Sequence, residues 1–148
     1  MFPNSKASEM LAILSTLDPA SQAAGVVSSG WVSVANHLDF LAVVQTGVLG
    51  TSATVDAKLQ QALDSSGTGA KDITGKSITQ IVKATGDNKQ ALINLKPEEL
   101  DIVNGFGFVR VTMTVSVAAS ITAAQLLGVN PRAAPADAGN QAAVIQVV

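Results

Sequence analysis

The stretch that most resembles a catalytic or ligand-binding motif is Ala70-Lys-Asp-Ile-Thr-Gly-Lys-Ser77, a loose form of a phosphate-binding loop. In such a loop, backbone N–H groups surround the phosphates, while Lys and Ser or Thr reach the phosphate and Mg²⁺. A true phosphate loop follows a buried apolar strand, whereas polar residues 64–69 precede this stretch, and no apolar run ending in Asp follows it. We therefore interpret it as a polar loop that leads into a strand over residues 76–83.

Carboxylates for a metal site are few and widely spaced. Asp56, Asp64 and Asp72 can supply ligands to a calcium ion held by loops, but they lack the alternating oxygen ligands of an EF-hand. The calcium reading stays open as a minor alternative. Cysteine is absent, which excludes disulfides, thiolate chemistry and Cys-based zinc sites.

Residues for acid–base or nucleophilic catalysis are equally scarce. His37 is the only histidine, and no nucleophile-elbow pattern supports a Ser-His-Asp triad. Glu98, Glu99 and Asp101 follow Pro97, a pattern typical of a solvated helix start rather than of a buried catalytic pair. We predict that the chain is not an enzyme and that it has no catalytic residues, cofactor or metal.

The composition narrows the class of protein further. The chain has 148 residues, of which 47% are apolar, 14% are charged and only 3% are aromatic, with a net charge of −2. This length fits one domain with a real core. No apolar run is longer than five residues, as at 40–44, which is far too short for a membrane helix. The scattered Lys and Arg residues argue against nucleic-acid binding, and we expect Trp31, Phe40, Phe106 and Phe108 to anchor the core.

Period-two alternation of apolar and polar residues predicts strands in two segments, 54–63 and 108–117. The side chains expected to point inward are Val55, Ala57 and Leu59 in the first segment, and Val109, Val111, Met113, Val115 and Val117 in the second. Residues 38–49 are more continuously apolar, which favours a central strand covered on both faces. Weaker strands are predicted at residues 25–28, 31–35, 76–83 and 90–95.

Two further segments complete the prediction. Residues 118–129 suit either a helix or a strand, and we favour a strand that follows residue 117 through a tight hairpin. Residues 96–100 predict a single helical turn with Pro97 at its first position. Together these elements predict an all-β, antiparallel β-sandwich that resembles a jelly roll, with extended N- and C-terminal arms.

The expected organisation is an N-terminal arm at residues 1–24, a sandwich at 25–129, and a C-terminal linker and apolar arm at 130–148. Residues 8–17 can form a short amphipathic helix with Met10, Leu14 and Leu17 on one side. Residues 130–139 are rich in Pro and Ala, and an apolar tail (residues 142–148) follows. This tail either packs on its own domain or adds as a strand to a neighbour. The predicted partner-contact residues are Met10, Leu14, Leu17, Val144, Ile145, Val147 and Val148.

Several stretches resemble small structural proteins encoded among the head genes of tailed bacteriophages and related prophages. They lie at residues 46–50, 53–62, 69–80, 88–95 and 127–132. The resemblance spans roughly residues 11–148 and implies a capsid decoration (cement) protein. Such proteins sit on the outer surface of the head as dimers or trimers, and no catalytic residues carry over from them.

The resemblance therefore implies the major capsid protein and further copies of the chain itself, as a homodimer or homotrimer, as partners. No nucleic acid or membrane is expected to bind. The implied location is the surface of a phage head assembled in the host cytoplasm. Two alternatives remain: another virion component, such as a head spike base or a tail-associated sandwich, and a β-sandwich that binds calcium or carbohydrate.

Overall fold

The computed structural model describes residues 4–148. Its helices are the single turns α1 (Ala7–Met10) and α2 (Lys83–Gly86), with 3-10 turns at Pro97–Glu99, Ile102–Asn104 and Ala136–Gly139. The strands are β1 (Leu11–Gln22), β2 (Gly25–Ser28), β3 (Val32–Ser33), β4 (His37–Thr46), β5 (Thr54–Ala62), β6 (Lys71–Ser77), β7 (Ile81–Val82), β8 (Gln90–Leu95), β9 (Phe108–Ser116) and β10 (Ser120–Pro131). None of the helices between residues 4 and 148 is long and apolar enough to cross a membrane.

The strands form two antiparallel sheets. The four-stranded sheet has the order β1-β10-β4-β8, and the six-stranded sheet has the order β2-β9-β5-β6, with β3 beside β9 and β7 beside β5. Early strands pair with late ones: β1 with β10, β2 with β9, and β4 with β8, while β5 pairs with β6 inside this nest. This nesting is the strand order of a jelly roll, so the predicted fold class is confirmed.

Strands β5 and β9 form the centre of the six-stranded sheet, paired from Thr54 opposite Ser116 to Ala62 opposite Phe108. The predicted inward side chains of both strands are buried, with one exception. Val117 is exposed because β9 ends at Ser116 and Val117 lies in the following turn with φ of 74°. The prediction that Val117 faces the core is therefore wrong.

Strand β4 lies inside the four-stranded sheet, between β10 and β8, as expected for a central strand. Phe40, Ala42 and Val44 are buried in the core. The expectation that both faces are covered is wrong, since Leu41 and Val43 are only half-buried. A two-layer sandwich buries one face of each sheet, and among residues 4–148 no third layer packs on the other face.

The helix expected over residues 8–17 is wrong: α1 stops at Met10, and β1 begins at Leu11. Strand β1 pairs with β10 along its length, so residues 11–22 lie within the sandwich and do not form a separate arm. Pro19 is tolerated because β1 is an edge strand and its register shifts at that position. The sandwich starts at Leu11, earlier than the predicted boundary at residue 25.

The strand predicted at residues 118–129 is confirmed as β10, but the tight hairpin is wrong, because β9 and β10 belong to different sheets. The strand expected at residues 76–83 is replaced by β6, β7 and α2. The strand expected at 31–35 is reduced to Val32–Ser33, while β2 and β8 match the prediction. The helical turn after Lys96 is confirmed at Pro97–Glu99.

The segment expected to be a linker, residues 130–139, is not one. Strand β10 continues to Pro131, and the turn Ala136–Gly139 packs against β1 and α1. Ala136 is buried. The small Ala and Pro side chains, which suggested a linker in the sequence, instead let this segment pack closely against the end of the sandwich.

Candidate partner-contact site

The three N-terminal contact candidates are divided between the core and the surface. Leu17 is only 9% exposed in the core, and Leu14 packs against the same cluster. Met10 is half-buried at the end of α1, which lies against Ala136–Gly139. Leu14 and Leu17 therefore face the interior of their own sandwich, and Met10 is the candidate outside that core.

The C-terminal segment is fastened to the free edge of β1. The Ile13 N–H donates to Asn140 Oδ1 at 2.7 Å, and the Gln141 N–H donates to the Ile13 carbonyl at 2.8 Å. The Gln141 side chain also donates to Thr16 Oγ1 at 3.2 Å. These bonds satisfy the outward main-chain groups of Ile13 and fix the point from which the tail departs.

The tail (residues 142–148) leaves the sandwich after Gln141. The Val144 N–H donates to the Gln141 carbonyl at 3.0 Å, which closes a turn at residues 142–143. Ile145 is 94% exposed, Val148 is fully exposed and Val147 is half-exposed, while Val144 is half-buried. Of the two alternatives for the tail, packing on its own domain is not observed for Ile145, Val147 and Val148.

Sequence reasoning missed an apolar surface at the end of the sandwich where β4 and β9 finish. Val48, Val117 and Ile121 are all substantially exposed there, and the Ile121 N–H donates to the Val48 carbonyl at 3.1 Å. Val48 and Val117 had been assigned to strands, so their position in loops was hidden. Gly47 and Gly50 flank Val48 and are a turn signal in the sequence, whereas no Gly or Pro adjoins Val117.

A cavity of about 520 Å³ lies at the opposite end, between β1, β3 and the C-terminal segment; its lining includes Leu14, Trp31, His37 and Ala136. His37 is only 4% exposed, and neither ring nitrogen has a hydrogen-bond partner among the described residues. Its ring packs edge-on against Phe40, with centroids 5.9 Å apart. Burial lowers the pKa of His37, which favours a neutral imidazole packed in the interior.

The phosphate-loop-like stretch is not the polar loop that the sequence predicted, because it is itself a strand. Its residues 71–77 form the edge strand β6. The Lys76 ammonium pairs with Glu99 at 2.7 Å, and the hydrogen bond from Lys76 lowers the pKa of Glu99. Lys71 pairs with Asp101 in the same way and lowers its pKa. The lysines of this stretch therefore hold the 97–104 loop.

The three calcium candidates are engaged separately. Asp72 accepts hydrogen bonds from Lys58 and Gln60, and the Lys58 bond is the main cause of its lowered pKa. Asp64 accepts the N–H groups of its own loop, and Asp56 accepts the side-chain amide of Gln80. Across residues 4–148, no three His, Cys, Asp or Glu residues gather in a way that can hold a metal ion.

Polar side chains form a connected row on the outer face of the six-stranded sheet. Gln60 Oε1 accepts from the Arg110 guanidinium at 2.8 and 3.0 Å and from Thr112 Oγ1 at 3.0 Å. The Arg110 guanidinium lies 4.4 Å from the centroid of the Trp31 ring.

Of the four predicted core aromatics, Phe40 is buried, and Trp31, Phe106 and Phe108 are half-buried. The prediction that these side chains anchor the core is therefore correct only for Phe40.

No protein-family model and no curated protein matches this sequence. Solved structures do match. A chain of broad bean stain virus, determined by cryo-electron microscopy, has a TM-score of 0.50 at 10% identity, covering 90% of this chain and 94% of the virus chain. A chain of the cowpea mosaic virus empty virus-like particle has a TM-score of 0.41 at 11% identity, covering 86% of this chain and 84% of the virus chain. The family 22 carbohydrate-binding module of Clostridium thermocellum Xyn10B gives 0.36 at 15% identity, covering 90% of each chain. At these identities the likeness concerns the fold alone.

Proposed function

We propose that this chain is a non-enzymatic structural subunit of a virus particle, a decoration (cement) protein on the outer surface of a tailed-phage head. The observation that carries the proposal is the tail: a rigid jelly roll fastens Gln141 to β1 and then presents Ile145, Val147 and Val148 to solvent. The sequence resemblance to phage head proteins supports the same role, and the fold is compatible with it.

The tail presents exposed apolar side chains from a fixed position on the sandwich. Burying one Val or Ile side chain contributes about 1.5–3 kcal/mol. A tail that buries several of them against a neighbour can therefore offset the entropy lost when seven residues become ordered. The neighbours proposed for it are the major capsid protein and other copies of this chain, as a homodimer or homotrimer.

Particle incorporation tests this proposal. A variant in which residues 142–148 are replaced by a Gly/Ser segment of equal length keeps the chain length and removes the apolar side chains. We expect purified heads to carry less of this variant and to lose heat resistance, while a Val103→Ser control, changed at an exposed valine elsewhere, incorporates normally. Equal occupancy and equal heat resistance of all three forms contradict the proposed role of the tail.

Another virion role, such as a head spike base or a tail-associated sandwich, is the first alternative. Copy number separates the two roles, because a decoration protein covers the whole head surface and a spike or tail component does not. Quantitative mass spectrometry of purified particles, with the major capsid protein as the internal standard, measures this ratio directly.

Carbohydrate binding is the second alternative, and the row formed by Gln60, Arg110 and Trp31 favours it. Sugar modules use aromatic faces and polar side chains together, and this row places both on the outer side of one sheet, where all three side chains are half-buried. The Arg110 guanidinium already covers one face of the Trp31 ring, which leaves less of that ring for stacking. A saccharide that raises the melting temperature in the wild type and not in Trp31→Ala supports this alternative.

A further inference from the structure

We infer that the tail (residues 142–148) of one copy adds as a strand to the free edge of β8 (Gln90–Leu95) of a second copy. This inference names the partner of the tail, and it rests on the proposed function for its biological setting.

Strand β8 has the edge best suited to accept a strand. It pairs with β4 in unbroken register, contains no Pro and no charged residue, and no described strand pairs with its other side. Uncharged edges without bulges or Pro are the ones to which extended segments add. Leu92, on its outer face, is 60% exposed.

The other edges are protected. Strand β1 has two register shifts and Pro19, and the C-terminal segment already covers Ile13. Strand β2 is only four residues long, and β3 and β7 have two residues each. Strand β6 carries Lys71, Asp72 and Lys76, and its register with β5 also shifts. Charges, bulges and short length are the usual means by which an edge strand avoids pairing.

The backbone pairing of β8 shows which groups are free. The Thr46 N–H donates to the Lys89 carbonyl at 2.9 Å, so the hydrogen-bonded positions along β8 alternate from Lys89. Ala91, Ile93 and Leu95 therefore bond to β4. The N–H and C=O groups of Gln90, Leu92 and Asn94 point away from β4 and are available to an added strand.

The tail has the pattern such an added strand needs. After the turn at residues 142–143, Ile145 and Val147 would share one face, and Val144, Gln146 and Val148 the other. With the first face inward, Ile145 and Val147 extend the core layer formed by Ile93 and Leu95, and Gln146 lies on the outer face among Gln90, Leu92 and Asn94.

The same chain cannot supply this strand from residues 142–148. Gln141 is held one strand spacing outside β1, and the new strand lies one spacing outside β8, at the far edge of a sheet ordered β1-β10-β4-β8. Five spacings amount to about 24 Å. Seven extended residues reach at most about 25 Å, so the whole tail is used in the crossing and none remains to pair.

The donor and acceptor edges are therefore on opposite sides of one sheet, and the contact is heterologous. Each copy gives a tail at its β1 side and receives one at its β8 side. Repetition of this contact produces a ring where the rotation closes, and a row where it does not.

Disulfide trapping tests the inference cleanly because the chain has no cysteine. A Leu92→Cys protein is mixed with single-cysteine tail variants under mild oxidation, and linked dimers are counted on a non-reducing gel. Val26→Cys is the matched acceptor control, since Val26 is similarly exposed on the edge strand β2 of the other sheet. All these positions are exposed or half-buried, so the variants are expected to fold.

We expect the yield of dimer linked to Gln146→Cys to be at least about fivefold higher for Leu92→Cys than for Val26→Cys. The reason is that a disulfide needs Cβ atoms within about 4.5 Å. We also expect positions 144, 146 and 148 to link better than 145 and 147, following the two-residue period of a strand. Equal yields for the two acceptors, or no alternation along the tail, overturn the inference.

Particle incorporation distinguishes this inference from the proposed function. If trapping fails while the Gly/Ser tail variant still loses head occupancy, the tail binds the capsid shell: the inference is overturned and the proposed function stands. If trapping succeeds while no particle contains the chain, the inference stands and the proposed function fails.

Discussion

Gln141 and Ile13, which are 128 positions apart in sequence, share a main-chain hydrogen bond of 2.8 Å. This bond joins the C-terminal segment to the first long strand, at the edge of the four-stranded sheet. Because of this bond, the segment that follows β10 stays on the sandwich as far as Gln141. The apolar tail therefore begins at a fixed position beside β1.

Leu17→Ala and Ile145→Ala separate core residues from contact residues. Leu17 is buried in the core, so its truncation is expected to lower the free energy of unfolding by about 2–4 kcal/mol. Ile145 is almost fully exposed, and its truncation is expected to leave stability within about 0.5 kcal/mol. Urea denaturation measures both. A large loss for Ile145→Ala means that the tail packs on its own domain after all.

Asn140→Ala removes the acceptor of the Ile13 N–H and is expected to lower stability by about 0.5–1.5 kcal/mol. We expect the effect on local opening to exceed the effect on global stability. Amide exchange should accelerate at Ile13 and Gln141 and change little in the core. Gln146→Ala, on the exposed tail, is the control. Unchanged exchange at Ile13 in Asn140→Ala shows that the segment is held by other contacts.

Gly128→Ala tests the close packing of β10 on the buried histidine. A Cβ atom at Gly128 lies 2.6 Å from His37 Cγ, so the ring or the strand has to move. We expect a loss of about 1–3 kcal/mol. Gly107→Ala is the matched control, because its Cβ meets no atom within 4 Å. Similar melting temperatures for the two variants contradict this packing.

His37 gives the protein a specific pH dependence. Burial lowers its pKa in the folded state below the value near 6.5 that it has when unfolded. Between these two values the unfolded state binds more protons, so the free energy of unfolding falls as the pH drops below about 6.5. His37→Phe lacks this loss. We expect the stability of wild type relative to His37→Phe to decrease between pH 7.5 and 5.5, and parallel curves contradict the assignment.

The parts of the fold that the sequence predicts are those governed by local alternation. In β5 and β9, apolar and polar residues alternate without a bulge, so residue spacing alone gives both the strand and its inward face. Strand β1 is bulged between Ile13 and Ser15, and the spacing of Met10, Leu14 and Leu17 fits a helix equally well. The helix was therefore predicted where pairing with β10 imposes a strand.

The candidate site was predictable only in its chemistry. The apolar character of the tail is visible in Val144, Ile145 and Val147, but the place from which it departs depends on the long-range bonds of Ile13. That β10 joins the sheet opposite β9 also depends on long-range strand pairing, and the residues around Val117 do not predict it. The burial of His37 depends on Gly128, ninety-one positions later in the sequence.

A cryo-electron microscopy reconstruction of purified heads tests the central claim most directly. The account predicts density for this jelly roll on the outer surface of the shell, in symmetry-related copies, with the tail of each copy in contact with a neighbouring subunit. Heads without that density, from particles in which mass spectrometry also fails to detect the chain, contradict it.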